Sequence, residues 1–221
     1  MLSPSRSLTA FGLSLFLAGL TGVSSASAQG PENAPWTTVG SAGTVDEADL
    51  FNVNLGSPVS GAVSMWSAGT VHIRYNVVAV AGVLGGNGLT MTVRYQTRPA
   101  PLENGEVFNS RFRIAPFLPN TGAPGQVIVR LMKYSLATGV LTNLLTLDSN
   151  SFPPADGFQV QSVATSACVP PFTTLDFVNN SYFMDVSLIK APAGPLGDIT
   201  IFASRPALAM IKLVNNSPCI L

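Results

Sequence analysis

Few side chains in this sequence could do chemistry, and their spacing narrows the choices further. His72 is the single histidine, so a Ser–His–carboxylate triad has no other base to use. No Gly-x-Ser-x-Gly elbow accompanies it, since Gly40-Ser41-Ala42-Gly43 is one residue short of that pattern. His72 shares a strand face with Arg74 and Asn76, which reads as a solvated polar face. Asp46, Glu47 and Asp49 form the densest acidic cluster and are the candidate ligands for a hard cation such as calcium. They lack the Asp-x-Asp-x-Asp-Gly loop, and three acids in one turn also read simply as solvated surface. A glycoside hydrolase needs two carboxylates across a cleft; Asp176 and Asp185 flank the turn Asn179-Asn180-Ser181, with nothing to pin their partners. Trp66, beside Ser67-Ala68-Gly69, is the candidate platform for a sugar ring, and its bland alternative is packing at a sheet edge. No cofactor is expected. Zinc has no ligand set, because Cys168 and Cys219 lie far apart, belong to no Cys-x-x-Cys pair and are better joined to each other.

The elements that must position these groups are short and strand-like. Leu89, Met91, Val93 and Tyr95 alternate with Thr90, Thr92, Arg94 and Gln96, the period of a half-buried strand. Val71–Ala81 alternates likewise before turning apolar on both faces, and Gly85-Gly86-Asn87-Gly88 predicts a hairpin between the two. Further strands are predicted at 50–55, 59–65, 111–115, 126–135, 140–148, 158–163, 182–189, 199–203 and 208–214. Ile128, Leu131, Met132 and Ser135 also match helical spacing, as do Leu141, Leu144 and Leu145; the reversal Ala137-Thr138-Gly139 decides for strands. About eleven strands with short turns predict an all-β fold: a single-domain antiparallel β-sandwich of jelly-roll-like form over residues 44–221, entered by an extended N-terminal arm at 29–43.

The chain has 221 residues, 11 basic against 11 acidic, and only 10% are charged. That excludes nucleic-acid binding by bulk positive charge, which needs clustered Lys and Arg. Arg6, the apolar run Leu8–Leu20 and Ala26-Ser27-Ala28 form an export signal over residues 1–28, predicting cleavage after Ala28 and a secreted or periplasmic chain. No later apolar run is long enough for a transmembrane span. Outside the cytoplasm the two cysteines read as one disulfide, worth up to about 4 kcal/mol in the chain-entropy model. Leu118-Pro119-Asn120-Thr121-Gly122 matches a sortase signal but sits too far from the C-terminus, so it reads as a turn.

Two stretches carry a resemblance. Leu144-Leu145-Thr146-Leu147-Asp148-Ser149-Asn150-Ser151-Phe152-Pro153 and Asp176-Phe177-Val178-Asn179-Asn180-Ser181-Tyr182-Phe183-Met184-Asp185-Val186 resemble segments of secreted bacterial β-sandwich proteins of uncharacterised activity. The resemblance implies a bacterial source and a β-sandwich, and it implies no mechanism. Three functions remain: a secreted non-catalytic structural or interaction protein first, a carbohydrate-binding or adhesin-like module second, and a secreted hydrolase third. The partners in view are an envelope protein or an extracellular glycan. Phe183, Ile189, Val78 and Val80 at nominally outward positions leave two-sided burial or a homo-oligomer open.

Overall fold

The computed structural model describes residues 35–55, 61–78, 88–98, 125–165, 175–192 and 205–215. The export signal, the predicted strands at 111–115 and 199–203, Val80 and both cysteines lie outside them. Among the described residues no helix is long and apolar enough to cross a membrane.

Eleven strands are described: β1 (Trp36–Val39), β2 (Thr44–Val45), β3 (Val53–Asn54), β4 (Val63–Met65), β5 (Gly69–Val77), β6 (Leu89–Gln96), β7 (Gln126–Ser135), β8 (Leu141–Asp148), β9 (Phe158–Ala164), β10 (Asn180–Lys190) and β11 (Ala207–Asn215). They form two antiparallel sheets. One has the order β3-β4-β11-β6-β9, with β1 added beside β11; the other has the order β2-β5-β10-β7-β8. The eight strands β4 to β11 thus divide as β4-β11-β6-β9 and β5-β10-β7-β8, which is jelly-roll winding. Every consecutive pair among them except β7–β8 crosses from one sheet to the other.

Period-2 alternation explains the two layers. Val71, Ile73, Tyr75 and Val77 on β5 face inward with Tyr182, Met184, Val186 and Leu188 on β10. Opposite them lie Met91, Val93 and Tyr95 on β6 with Leu208, Ile211 and Leu213 on β11. Tyr75 crosses the interior and donates its hydroxyl to Gly40 O at 2.5 Å, and burial pushes that phenol far above its usual pKa.

Several expectations need correction. The hairpin predicted across residues 85–88 does not form: β5 pairs with β2 and β10, whereas β6 pairs with β11 and β9 in the other sheet. Glycines can permit a reversal, but they do not choose the partner strand. The strand predicted at 50–55 is mostly a 3-10 turn, Glu47–Asn52, followed by the two residues of β3. Part of the arm at 29–43 belongs to the sandwich, since Trp36–Val39 pairs along β11 and buries Trp36. The helix-like spacing in β7 is uninterrupted strand alternation, with Val127, Val129 and Leu131 buried, and that in β8 is alternation interrupted by one bulge. Register slips between Leu131 and Met132, where Leu144 is the extra residue on β8. A bulge shifts the inward phase by one residue, so 2-spacing locally imitates 3- and 4-spacing. The predicted reversal is a true hairpin: Gly139 takes φ +69 and its N–H reaches Ser135 O at 2.9 Å.

Two outcomes follow for stability. A β-carbon at Gly40 would run into the Leu208 carbonyl oxygen, so Gly40→Ala should cost at least ~1–3 kcal/mol by denaturant unfolding. A variant as stable as the parent would show that this close approach does not exist. The strands leading to the cysteines end on either side of Leu89: Thr165 N–H bonds Leu89 O at 2.8 Å, and Asn215 pairs with Leu89 from β11. Those ends are about two strand spacings apart, ~10 Å, and Cys168 and Cys219 follow within a few residues. Non-reducing peptide mapping of exported protein should recover the Cys168–Cys219 peptide, and two free thiols there would refute the pairing.

Candidate functional site

The acidic cluster becomes a structural turn. Asp49 N–H bonds Asp46 O at 2.9 Å, and Asp49 Oδ2 accepts the His72 backbone N–H at 3.0 Å. Asp46, through its backbone N–H to His72 O at 3.4 Å, and Asp49 therefore tie the 3-10 turn to β5, while Glu47 stands on the turn itself. Among the described residues no group of three or more His, Cys, Asp or Glu could hold a metal ion, so the predicted cation site is not assembled.

The hydrolytic candidates are dispersed. His72 and Asp185 lie on the outer face of the five-stranded sheet, on the paired strands β5 and β10. There Asp185 sits between Arg74 and Arg130 in register and pairs with Arg130 at 3.3 Å. Such a partly exposed pair is worth about 0–1 kcal/mol. Ser187 Oγ lies 3.4 Å from His72 Nδ1 and 3.5 Å from Arg130 Nη1, which superficially suggests a serine nucleophile and its base. Ser187 is only 3% exposed, however, so the hydroxyl joins strands and is closed to a substrate carbonyl. Glu47 stands on the 3-10 turn, and Asp176 caps the turn that precedes β10. Asp176 accepts the Asn179 side-chain amide at 2.8 Å, Val178 N–H at 2.9 Å and Asn179 N–H at 3.3 Å. The Asn179 amide first, then Val178 N–H, hold this carboxyl below its ordinary value.

Trp66 is where the structure offers contact surface. It follows β4 at one end of the six-stranded sheet and is 50% exposed. Its N–H bonds Asn52 O at 3.0 Å, and its carbonyl accepts Lys190 Nζ at 2.7 Å. The Arg205 guanidinium lies 3.9 Å from the centroid of the indole, a contact worth about 0.5–2 kcal/mol. Burial pulls Arg205 below the ordinary arginine pKa. One ring face is thus braced by a cation while much of the ring stays in solvent. Phe51, the neighbour of Asn52, is 95% exposed, and Leu50 and Leu55 are also exposed.

The same end holds a feature that sequence reasoning missed. An open depression of about 220 Å³ is lined by Thr97, Gly125, Ser149, Asn150, Phe152 and Pro154. Thr97 ends β6 and Gly125 opens β7, with Gly125 N–H bonding Thr97 O at 3.1 Å. Ser149 Oγ accepts Val127 N–H at 2.9 Å. Asp148 is occupied by the Gln126 side-chain amide at 2.8 and 3.0 Å and by Asn150 N–H at 2.9 Å. No motif joins Thr97 to Asn150; only the facing ends of the two sheets bring them together.

No family model and no curated protein matches this chain. Among solved structures it is similar to a family two carbohydrate esterase from Cellvibrio japonicus, with TM-score 0.34, 9% identity and coverage of 86% of this chain. The chain spans only 36% of that esterase. It is also similar to a family 11 carbohydrate-binding module from Clostridium thermocellum in complex with a β-1,3-1,4-mixed-linked tetrasaccharide. There the TM-score is 0.33 and the identity 11%, covering 85% of this chain and 91% of the module. A second structure of a family 11 module, from the cellulosomal cellulase Lic26A-Cel5E of Clostridium thermocellum, gives 0.32 and 11%. Likeness at this level carries no functional argument.

The Asp176 cap has a signed pH signature. Its carboxyl is depressed when folded, so its contribution is present above its unfolded value, about 3.8, and is lost as pH falls through the folded value. Asp176→Ala should lower the thermal midpoint at pH 7, and the gap to wild type should close in melts taken at pH 2. A gap that stays constant across that range would dissociate the carboxylate from the turn.

Proposed function

We propose that this chain is an exported, non-catalytic binding module whose contact surface is the sandwich end carrying Trp66, and that an extracellular glycan is its ligand class. The observation that carries the reading is the half-exposed indole held flat by Arg205 at 3.9 Å. A sugar ring offers C–H groups to an aromatic face and hydroxyls to nearby polar groups, so a rigid, solvent-facing indole beside Lys190 suits it. Bracing the ring before binding reduces the rotamer entropy lost on complex formation. Export with cleavage after Ala28 belongs to the same reading, as does the disulfide. A non-catalytic role is supported by the closed Ser187 hydroxyl and by the turn-capping duty of Asp176.

A protein contact is the second reading, favoured by Phe51. A phenylalanine that is 95% exposed beside exposed Leu50 and Leu55 is the kind of apolar surface a protein partner covers.

Glycan-array binding by the folded chain from Gln29 onward should be lost in Trp66→Ala, while Phe51→Ala retains it. Binding indifferent to Trp66 would remove the platform. Loss on Phe51→Ala alone, with envelope proteins captured by the wild type, would favour the second reading.

A further inference from the structure

Two positive charges stand beside the Trp66 indole, and no carboxylate among the described residues neutralises either. The Arg205 guanidinium lies 3.9 Å from the ring centroid, and Lys190 Nζ donates to Trp66 O at 2.7 Å. Among the described residues the ion pair is Arg130 with Asp185, on the outer face of the other sheet. Arg205 is half-buried, and its Nε has no hydrogen-bond partner among the described residues. A guanidinium that has lost water without gaining a counter-charge is stabilised by an anion that reaches it. The indole face offsets part of the desolvation cost, but a ring is a weaker partner than a carboxylate.

The acidic residues of the adjoining turn do not fill this role. The 3-10 turn Glu47–Asn52 reaches Trp66 through Asn52 O, which accepts the Trp66 backbone N–H at 3.0 Å. Asp49 on that turn is bonded to the His72 backbone N–H at 3.0 Å. Asp46 and Glu47 stand at its opposite end, on the order of 10 Å from Asn52 at about 2.0 Å rise per residue. Access to the indole is open, because Trp66 and the adjacent Ser67-Ala68-Gly69 are all exposed. Lys190 keeps donor capacity after its bond to Trp66 O, since an ammonium carries several N–H groups. The guanidinium adds a planar fork that fits two oxygens of one anion.

We infer that the Trp66 site selects an acidic sugar unit, with the sugar ring on the indole and its carboxylate or sulfate held by Arg205 and Lys190. The inference rests on the glycan reading of Trp66 and narrows that class to sugars carrying negative charge. A neutral sugar leaves both cations uncompensated. An acidic one gains charge-assisted hydrogen bonds, which should raise affinity by about tenfold or more. Salt screens such contacts at an exposed site, so the preference should shrink as ionic strength rises.

The experiment is Trp66 indole N–H chemical-shift titration of the folded chain from Gln29 onward, at low and at high salt. The probes are uronate tetramers of galacto, gluco and manno configuration, each with its carboxyl-reduced neutral counterpart and a sulfated form of that counterpart. The expected result is that an acidic probe shifts the indole and binds about tenfold or more tighter than its neutral counterpart, with the gap narrowing at high salt. Whether uronate or sulfate binds better identifies the anion. Lys190→Gln, which keeps a donor for Trp66 O, and Arg205→Lys, which keeps the charge and loses the fork, should each narrow the gap. Should a variant fail to fold, the paired probes on the wild type still decide the matter. Equal affinity within every pair, with the indole shifted by both members, overturns the charge selection and leaves the platform standing. A preference that both variants leave at full size overturns the assignment of the two cations. An acidic preference that survives Trp66→Ala, or no indole shift with any probe, overturns both the charge selection and the glycan reading of this site.

Discussion

Both sheets depend on strands that the chain makes last. β10 lies between β5 and β7 at the middle of one sheet, and β11 lies between β4 and β6 at the middle of the other. Until residues 180–215 arrive, β5 has no partner on the side that leads to β7, and β4 none on the side that leads to β6. Each pairing closes a loop of a hundred residues or more, because Tyr182 meets Val77 and Leu208 meets Val63. Loop-closure entropy must be met before such contacts are made, which puts the fold among the slower β topologies. The inner faces repay it together: Met184, Val186 and Leu188 are covered fully once Leu208, Ile211 and Leu213 join Met91, Val93 and Tyr95 in the opposing layer.

The same constraint builds the candidate site. Lys190 ends β10 and Arg205 lies just before β11, so the two cations around Trp66 both come from the late strands. The depression arises in a similar way, where the end of β6 in one sheet meets the start of β7 and the turn after β8 in the other. Binding groups gather at a sandwich end because connections that cross between sheets must turn there. Loops and strand ends carry polar groups that the ladders leave free for other partners. The outer faces behave differently. On the five-stranded sheet Asp185 is paired with Arg130 and lies beside Arg74 in register, and Ser187 is closed among its neighbours.

Strand identity was largely legible from the residues. The alternations at 71–77, 89–96 and 182–189 appear as β5, β6 and β10 with the predicted faces buried, and Tyr75, Tyr95 and Tyr182 are core residues. The failures share a cause. Residues 50–55 look apolar enough for a strand, but Asp49 finds the His72 backbone N–H within the 3-10 turn Glu47–Asn52, which takes up residues 50–52. The acidic cluster suggested a cation, and that long-range bond to β5 gave one of its carboxylates another task. Trp66 was recognisable as a candidate by type and by the turn beside it. Its brace was not, because Arg205 is far away in sequence.

The sequence by itself determined the all-β class, the approximate number of strands and which residues of β5, β6 and β10 point inward, since a period of two is written locally in side-chain type. Only the tertiary structure decided that β5 and β6 part into different sheets, that Trp66 stays exposed against Arg205, and that Thr97 meets Asn150 across the end of the sandwich. Pattern along a strand depends on neighbours in the chain, whereas the choice of partner strand depends on which distant surfaces can be buried together, and no local window contains that information.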